Sequence, residues 1–279
     1  MSKWAACALL LALAGPAVGY SGISPSDVLS ADPYDYRARQ GMARTSRSSG
    51  DWASAYYQAA WLAWFAPKQF ADSPEGARLL RDRRARDQAA WEGSGGAAIA
   101  ALAIETSESI TSTCLNGAVV TQSGRLRDEV GNAIARVEQM DGRLDHPDPV
   151  ARAALARLYL LLDDCLVLDA APESQRARLK TLQKASSLAS AVVDWLPKSP
   201  GAHLTLATAR ARLASLENRA EFWDMALEEC EMAQALDPAD PALSDMIWTL
   251  HLRAGHWAEA KRWENGGPEV KGRRKPKGK

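Results

Sequence analysis

Histidine is the side chain most readily turned to proton transfer or metal binding near neutral pH. This chain carries four: His146, His203, His251 and His256. His251 and His256 lie either side of Gly255, a turn signal, so they do not form the two-histidine helical face of a metalloprotease. No carboxylate–histidine pattern with zinc-ligand spacing accompanies them. Asp163 and Asp164 are the most suggestive acidic pair. Neighbours on a helix point about 100° apart, so the pair reads as the edge of a buried helix rather than as an acid and a base. A glycine-flanked serine elbow is missing. Gly93-Ser94-Gly95-Gly96 lacks the lysine and the preceding strand of a phosphate-cradling loop. These residues point to no catalytic constellation, no metal site and no cofactor, and the chain reads as a non-enzyme.

The wider composition frames that reading. Of 279 residues, 47% are hydrophobic and 24% charged, which are globular values. Helix-favouring Ala, Leu, Arg and Glu dominate over β-branched runs. The formal charge is zero, but residues 271–279 (KGRRKPKGK) hold six positive charges and no acid, leaving the rest at −6. A mildly acidic body with a cationic tail is not the pattern of a nucleic-acid-binding domain. The tail has two readings, contact with an anionic surface or a solubilising terminus.

Residues 1–19 have the layout of a secretory signal. Lys3 is followed by an apolar run from Ala5 to Ala14, then Gly15-Pro16 and the small residues Ala17 and Gly19, with cleavage expected after Gly19. The run is too short for an ordinary membrane span, and an uncleaved anchor is the competing reading. Export by a Sec-type route places the chain in a periplasm or outside the cell. Removal of the signal leaves Cys114, Cys165 and Cys230. Two of them can pair in an oxidising compartment, Cys114 with Cys165 being the preferred choice, or all three are buried thiols.

The elements that carry these residues are helices. Tyr36 to Ser46 and Trp52 to Ala66 read as a helical pair about the turn Ser48-Ser49-Gly50-Asp51. Residues 73–92 read as one charged helix capped by Ser73-Pro74-Glu75, with Arg81, Arg83, Arg84 and Arg86 on a solvated face. Glu92 to Gly96 is the clearest break in the chain. Beyond it come an alanine-rich helix start at 97–104 and a polar, threonine-rich stretch from Thr106 to Thr113. Asn116-Gly117 reads as a turn. Leu126, Val130, Ile134, Val137 and Leu144 recur at helical spacing over about 123–144. The run from Val150 to Leu168 is apolar nearly all round, the mark of a buried helix. Its partner spans 175–196 after the loop at Ala170 to Ser174.

The C-terminal third repeats itself. Trp223 and Trp257 lie 34 residues apart, each followed three positions later by alanine (Ala226, Ala260), and Ala233 and Pro238 complete the first pass. Trp52, Ala55 and Pro67 repeat the pattern near the start, with Gly50 corresponding to Gly255. Pro197 and Pro200 have the spacing of Pro238 and Pro241. Leu206 and Ala207 open another unit, whose extra residues around Leu213 to Ala220 lengthen both of its helices.

This pattern resembles the tetratricopeptide repeat, a helix–turn–helix unit of 34 residues. The resemblance covers about residues 36–67 and 200–263. Trp248, in a small-residue slot, and Leu62, where the later unit has Ala233, depart from it. It implies an all-α right-handed solenoid of antiparallel helical hairpins, arranged as N-terminal units over 20–92, a diverged middle over 97–197, C-terminal units over 198–264 and a tail over 265–279. Trp52, Trp223 and Trp257 are then spacers between hairpins. Such proteins generally bind other proteins along the first helix of each unit. Here those positions fall on Arg37, Gln40, Arg44 and Arg47, then Thr208 and Arg212, then Asp245, Thr249 and Arg253. The arginine fork suits carboxylates, so an acidic peptide or chain terminus is the expected partner, the alternative being arginines that merely solvate a helix face. The expected function is an exported scaffold or adaptor in envelope assembly or secretion. The competing class is an exported helical enzyme acting on cell-wall glycan, which needs two facing carboxylates.

Overall fold

The computed structural model describes residues 24–264 apart from 94, 116–118, 145, 168–171 and 239, and side chains at 114–123, 172, 241 and 242 are also outside that description. The signal-like start, Cys7, the Cys114 side chain, the Asn116-Gly117 turn, Ala170-Ala171 and the cationic tail therefore lie outside the described residues. Among the described residues the fold is all-α, with fourteen helices and no strand. None of these helices is long and apolar enough to cross a membrane.

The first hairpin is α2 (Tyr36–Ser49) and α3 (Trp52–Phe65), preceded by the short α1 (Pro25–Ala31). Asp35 and Asp51 cap these helices, accepting from the Ala38 and Ser54 amides at 2.8 and 3.0 Å. Such caps satisfy amides that have no partner within the helix. Gly50 ends α2 in the left-handed region at φ +84°, as Gly255 does in the last hairpin at +80°. Both turns match the sequence reading, because glycine reaches that conformation without a Cβ penalty.

Residues 73–92 depart from the expectation of one helix. The chain breaks at Asp82 into α5 (Pro74–Arg81) and α6 (Arg83–Glu92), after the short α4 (Pro67–Ala71). The Asp82 side chain accepts from the Arg84 and Ala85 amides, so it starts a new helix rather than continuing the old one. The arginine run is not uniformly solvated either, since Arg86 pairs with Glu108 at 2.8 Å and its side chain is largely covered.

Next come α7 (Gly95–Leu115) and α8 (Val119–Asp141). The break expected at 92–96 is confined to the start of that stretch, because Gly95 and Gly96 are already helical. The threonine-rich part of α7 stays helical because its hydroxyls bond back to carbonyls four residues earlier, Thr106 to Leu102 and Thr111 to Ser107, both at 2.8 Å. Leu126, Val130, Ile134 and Val137 of α8 are buried as their spacing predicts. The central hairpin is α9 (Pro149–Val167) and α10 (Pro172–Trp195). The final two are α11 (Pro200–Glu217) with α12 (Ala220–Leu236), and α13 (Pro241–Ala254) with α14 (Trp257–Trp263). The lengthening expected around 213–220 is seen, the two long helices meeting at Asn218 in the left-handed region.

Neighbouring helices pack on one another along the chain, a solenoid-like arrangement. α7 also packs on α9, and α3 departs furthest from neighbour-only packing. Besides α2, α3 packs on α5, α6, α7, α9 and the start of α11. It is buried nearly all round, with Tyr56, Trp61, Leu62 and Phe65 at 1% exposure or less. At its C-terminal end Ser199 donates to the Phe65 carbonyl at 2.9 Å, and Gly201 lies so close to the Trp64 carbonyl that a Cβ would overlap it. The first hairpin is thus fastened directly to the C-terminal half. Of the three tryptophans assigned as spacers, Trp52 and Trp223 pack partly buried against the core. Trp257 does not. It is 69% exposed, because among the described residues no helix follows α14 to cover its face.

Candidate functional site

The positions expected to face a partner divide into two groups. Four lie on α2, at intervals of three and four residues that put them along one side of the helix. Arg44 and Arg47 both reach Glu75 of α5, at 3.1 and 2.9 Å, and Gln40 donates to the Gln69 carbonyl at 3.3 Å. Arg37 is exposed. Glu75 therefore occupies the carboxylate-binding geometry of this strip. Both arginines remain substantially exposed, and surface pairs of this kind contribute only about 0–1 kcal/mol, so an incoming carboxylate competes with Glu75 at little cost.

The second group converges. Thr208 and Arg212 of α11 and Thr249 and Arg253 of α13 line one open cavity of about 240 Å³, with Ala211, Trp223, Met246 and Leu250 supplying apolar wall. Asp245 is exposed on α13 and does not line this cavity, although its carbonyl accepts from the Thr249 hydroxyl at 2.9 Å. Trp223 and Met246 belong here too. In the sequence Trp223 reads as a spacer between hairpins, and nothing local marks Met246.

Arg212 is held from behind by a network invisible in the sequence. Asp163, 1% exposed, accepts from Arg178 at 2.7 Å and from Arg212 at 3.3 Å. Arg212 also meets the Leu160 carbonyl at 2.9 Å and Asp164 at 2.6 Å. The expectation of two edge carboxylates is corrected for Asp163, which is an interior anchor joining α9, α10 and α11. A buried carboxylate persists only with such partners.

Among the histidines, His203 is held at both ring nitrogens. His203 is buried, with Nδ1 2.5 Å from Glu229 and Nε2 2.9 Å from the Pro197 carbonyl. Burial by itself favours the neutral ring, but acceptors at both nitrogens outweigh it and hold the pKa above the usual histidine value. Arg210 completes the set, 2.8 Å from Glu229. His251 and His256 lie with ring centroids 5.7 Å apart at the α13–α14 turn. Cys165 and Cys230 are both buried, and burial pushes the Cys230 thiol up to about 12. Among the described residues no group of three or more His, Cys, Asp or Glu side chains converges as a metal site would require.

Compared with known proteins, the chain matches no family model, and no curated protein matches it significantly.

Proposed function

We propose that this chain is an exported, tetratricopeptide-like scaffold or adaptor that holds an extended segment of a protein partner in the groove between α11 and α13. The observation that carries this reading is the convergence of Thr208, Arg212, Thr249 and Arg253 around an apolar floor. Hydroxyls and guanidinia bordering an apolar wall suit a peptide with an acidic group beside a hydrophobic side chain. Arg253 is the exposed cation of the set, while Arg212 is oriented by Asp163 and Asp164. The strip on α2 extends the same chemistry, with Arg37 exposed and Glu75 displaceable from Arg44 and Arg47. Envelope assembly or secretion is the setting that this reading and the signal-like start support together.

Site-specific photocrosslinking tests it. A crosslinker at Thr249 should capture a discrete protein partner in the native envelope, and one at exposed Ser187 of α10 should not. Arg253→Glu should reduce the Thr249 product about tenfold, through loss of a charge-assisted contact. Equal crosslinking from both positions, or a product indifferent to Arg253→Glu, refutes the groove as the binding surface.

A further inference from the structure

Two arginines are drawn inward in different ways, Arg39 buried and Arg157 half-buried. Arg39 donates to the Pro33 carbonyl through two nitrogens and to Gln58 at 2.9 Å, with Trp61 stacked 3.6 Å beneath it. All of its company is internal. Arg157 of α9 has no such company. Its Nε is buried without a hydrogen-bond partner among the described residues, and the Trp64 ring lies 5.5 Å from the guanidinium carbon. Burial draws its pKa down to about 10, well below the ordinary arginine value. Arg157 is only partly covered, and a guanidinium whose Nε finds no partner among the described residues, at the wall of an open cavity, suits an anionic partner from outside the chain.

Arg157 stands at the wall of an open cavity of about 530 Å³, within the range of small-molecule sites. The other walls are Trp64 of α3 and one face of α7, where Ala103, Ile104, Ser107, Glu108, Thr111 and Ser112 recur at helical spacing. This is the threonine-rich stretch that gives α7 its mixed character. Trp64, Ala103 and Ile104 are apolar. Glu108 is already engaged by Arg86 at 2.8 Å, which leaves Arg157 as the uncompensated charge. Ser107 and Thr111 spend their hydrogens on helix carbonyls and have none left for a carboxylate, which leaves Arg157 as its donor.

From this geometry we infer that the cavity between α3, α7 and α9 binds a small monocarboxylate bearing an apolar chain or ring, with its carboxylate on Arg157 and its apolar part against Trp64, Ala103 and Ile104. A single guanidinium balances one negative charge, and its planar fork matches a carboxylate. The site is separate from the α11–α13 groove and stands whether or not that groove binds a partner.

The test is calorimetric titration and thermal unfolding of the purified chain with linear monocarboxylates from butanoate to decanoate and with 3-phenylpropionate. Octanamide and inorganic phosphate serve as controls. At least one carboxylate should bind and raise the unfolding temperature, while its amide should bind about tenfold more weakly or not at all. Arg157→Met should abolish that binding and leave the free protein as stable as the parent or more so, because it removes a half-buried cation whose Nε has no partner among the described residues. Ile104→Trp, which fills the cavity and keeps Arg157, should abolish binding as well. The proposal is overturned if no carboxylate binds at millimolar concentration, if phosphate binds as well as the best carboxylate, or if Ile104→Trp or a folded Arg157→Met binds like the parent.

Discussion

Asp163→Ala is the sharpest test of how this fold holds its groove. The carboxylate is 1% exposed and receives Arg178 at 2.7 Å and Arg212 at 3.3 Å from two different helices. Removing one member of a buried charged set typically costs about 3–5 kcal/mol, mostly because the remaining charges are stranded. Here the stranded groups are the arginines, whose side chains are 22% and 30% exposed, so water recovers part of their solvation. The loss should therefore fall near the lower end, about 3 kcal/mol. For a chain of this size that corresponds to a fall in unfolding temperature of about 6–12 °C. Differential scanning calorimetry or urea unfolding followed by circular dichroism measures it. Asp164→Ala is the control, since its side chain is 55% exposed and should cost no more than about 1 kcal/mol. A loss for Asp163→Ala as small as for Asp164→Ala would refute the reasoning. Binding gives a second readout. Arg178→Ala leaves Arg212 anchored on Asp163 and should spare the Thr249 crosslink, whereas Asp163→Ala removes the buried one of Arg212's anchors, leaving Asp164 and the Leu160 carbonyl, and should weaken it.

Other outcomes follow from the same geometry. Trp61→Ala, at a side chain 1% exposed at the centre of α3, should destabilise by about 3–5 kcal/mol in urea unfolding. Gly201→Ala should cost about 1–3 kcal/mol, because its new Cβ meets backbone of α3 rather than a side chain that can move aside. His203 has a folded pKa above its unfolded value, so its stabilisation is complete below about pH 6.5 and is lost as pH rises through the folded pKa. The unfolding midpoint of the parent relative to His203→Gln should thus shrink between pH 6 and pH 9, and a constant difference would refute the assignment. His251, whose pKa burial lowers, acts with the opposite sign and cancels in that comparison. Cys230, fully buried with its thiol pushed up to about 12, should resist alkylation at pH 8 until the chain unfolds.

Part of the candidate site was legible in the sequence and part was not. Thr208, Arg212, Thr249 and Arg253 were placed by repeat register, and they meet at one groove because register fixes which side of each helix faces the same way. The reach of Glu75 to Arg44 and Arg47 was not legible, because the two helices involved are joined through a connection whose course no periodic pattern describes. Arg157 was missed altogether. It sits inside an apolar run, and nothing local distinguishes an arginine that escapes to solvent from one facing a cavity built by α3 and α7.

By itself the sequence determined that the described chain is helical, about where several of its helices start and stop, and that the turns at Gly50 and Gly255 need glycine. Those properties rest on caps, φ preferences and bonds between residues four apart, all contained in a short window. Only the tertiary structure decided that α3 is the hub, that Asp163 is an interior anchor, that Trp257 is 69% exposed and that the Arg157 Nε has no hydrogen-bond partner among the described residues. Each depends on which helices cross and how closely, a property of side-chain packing between segments far apart in the chain.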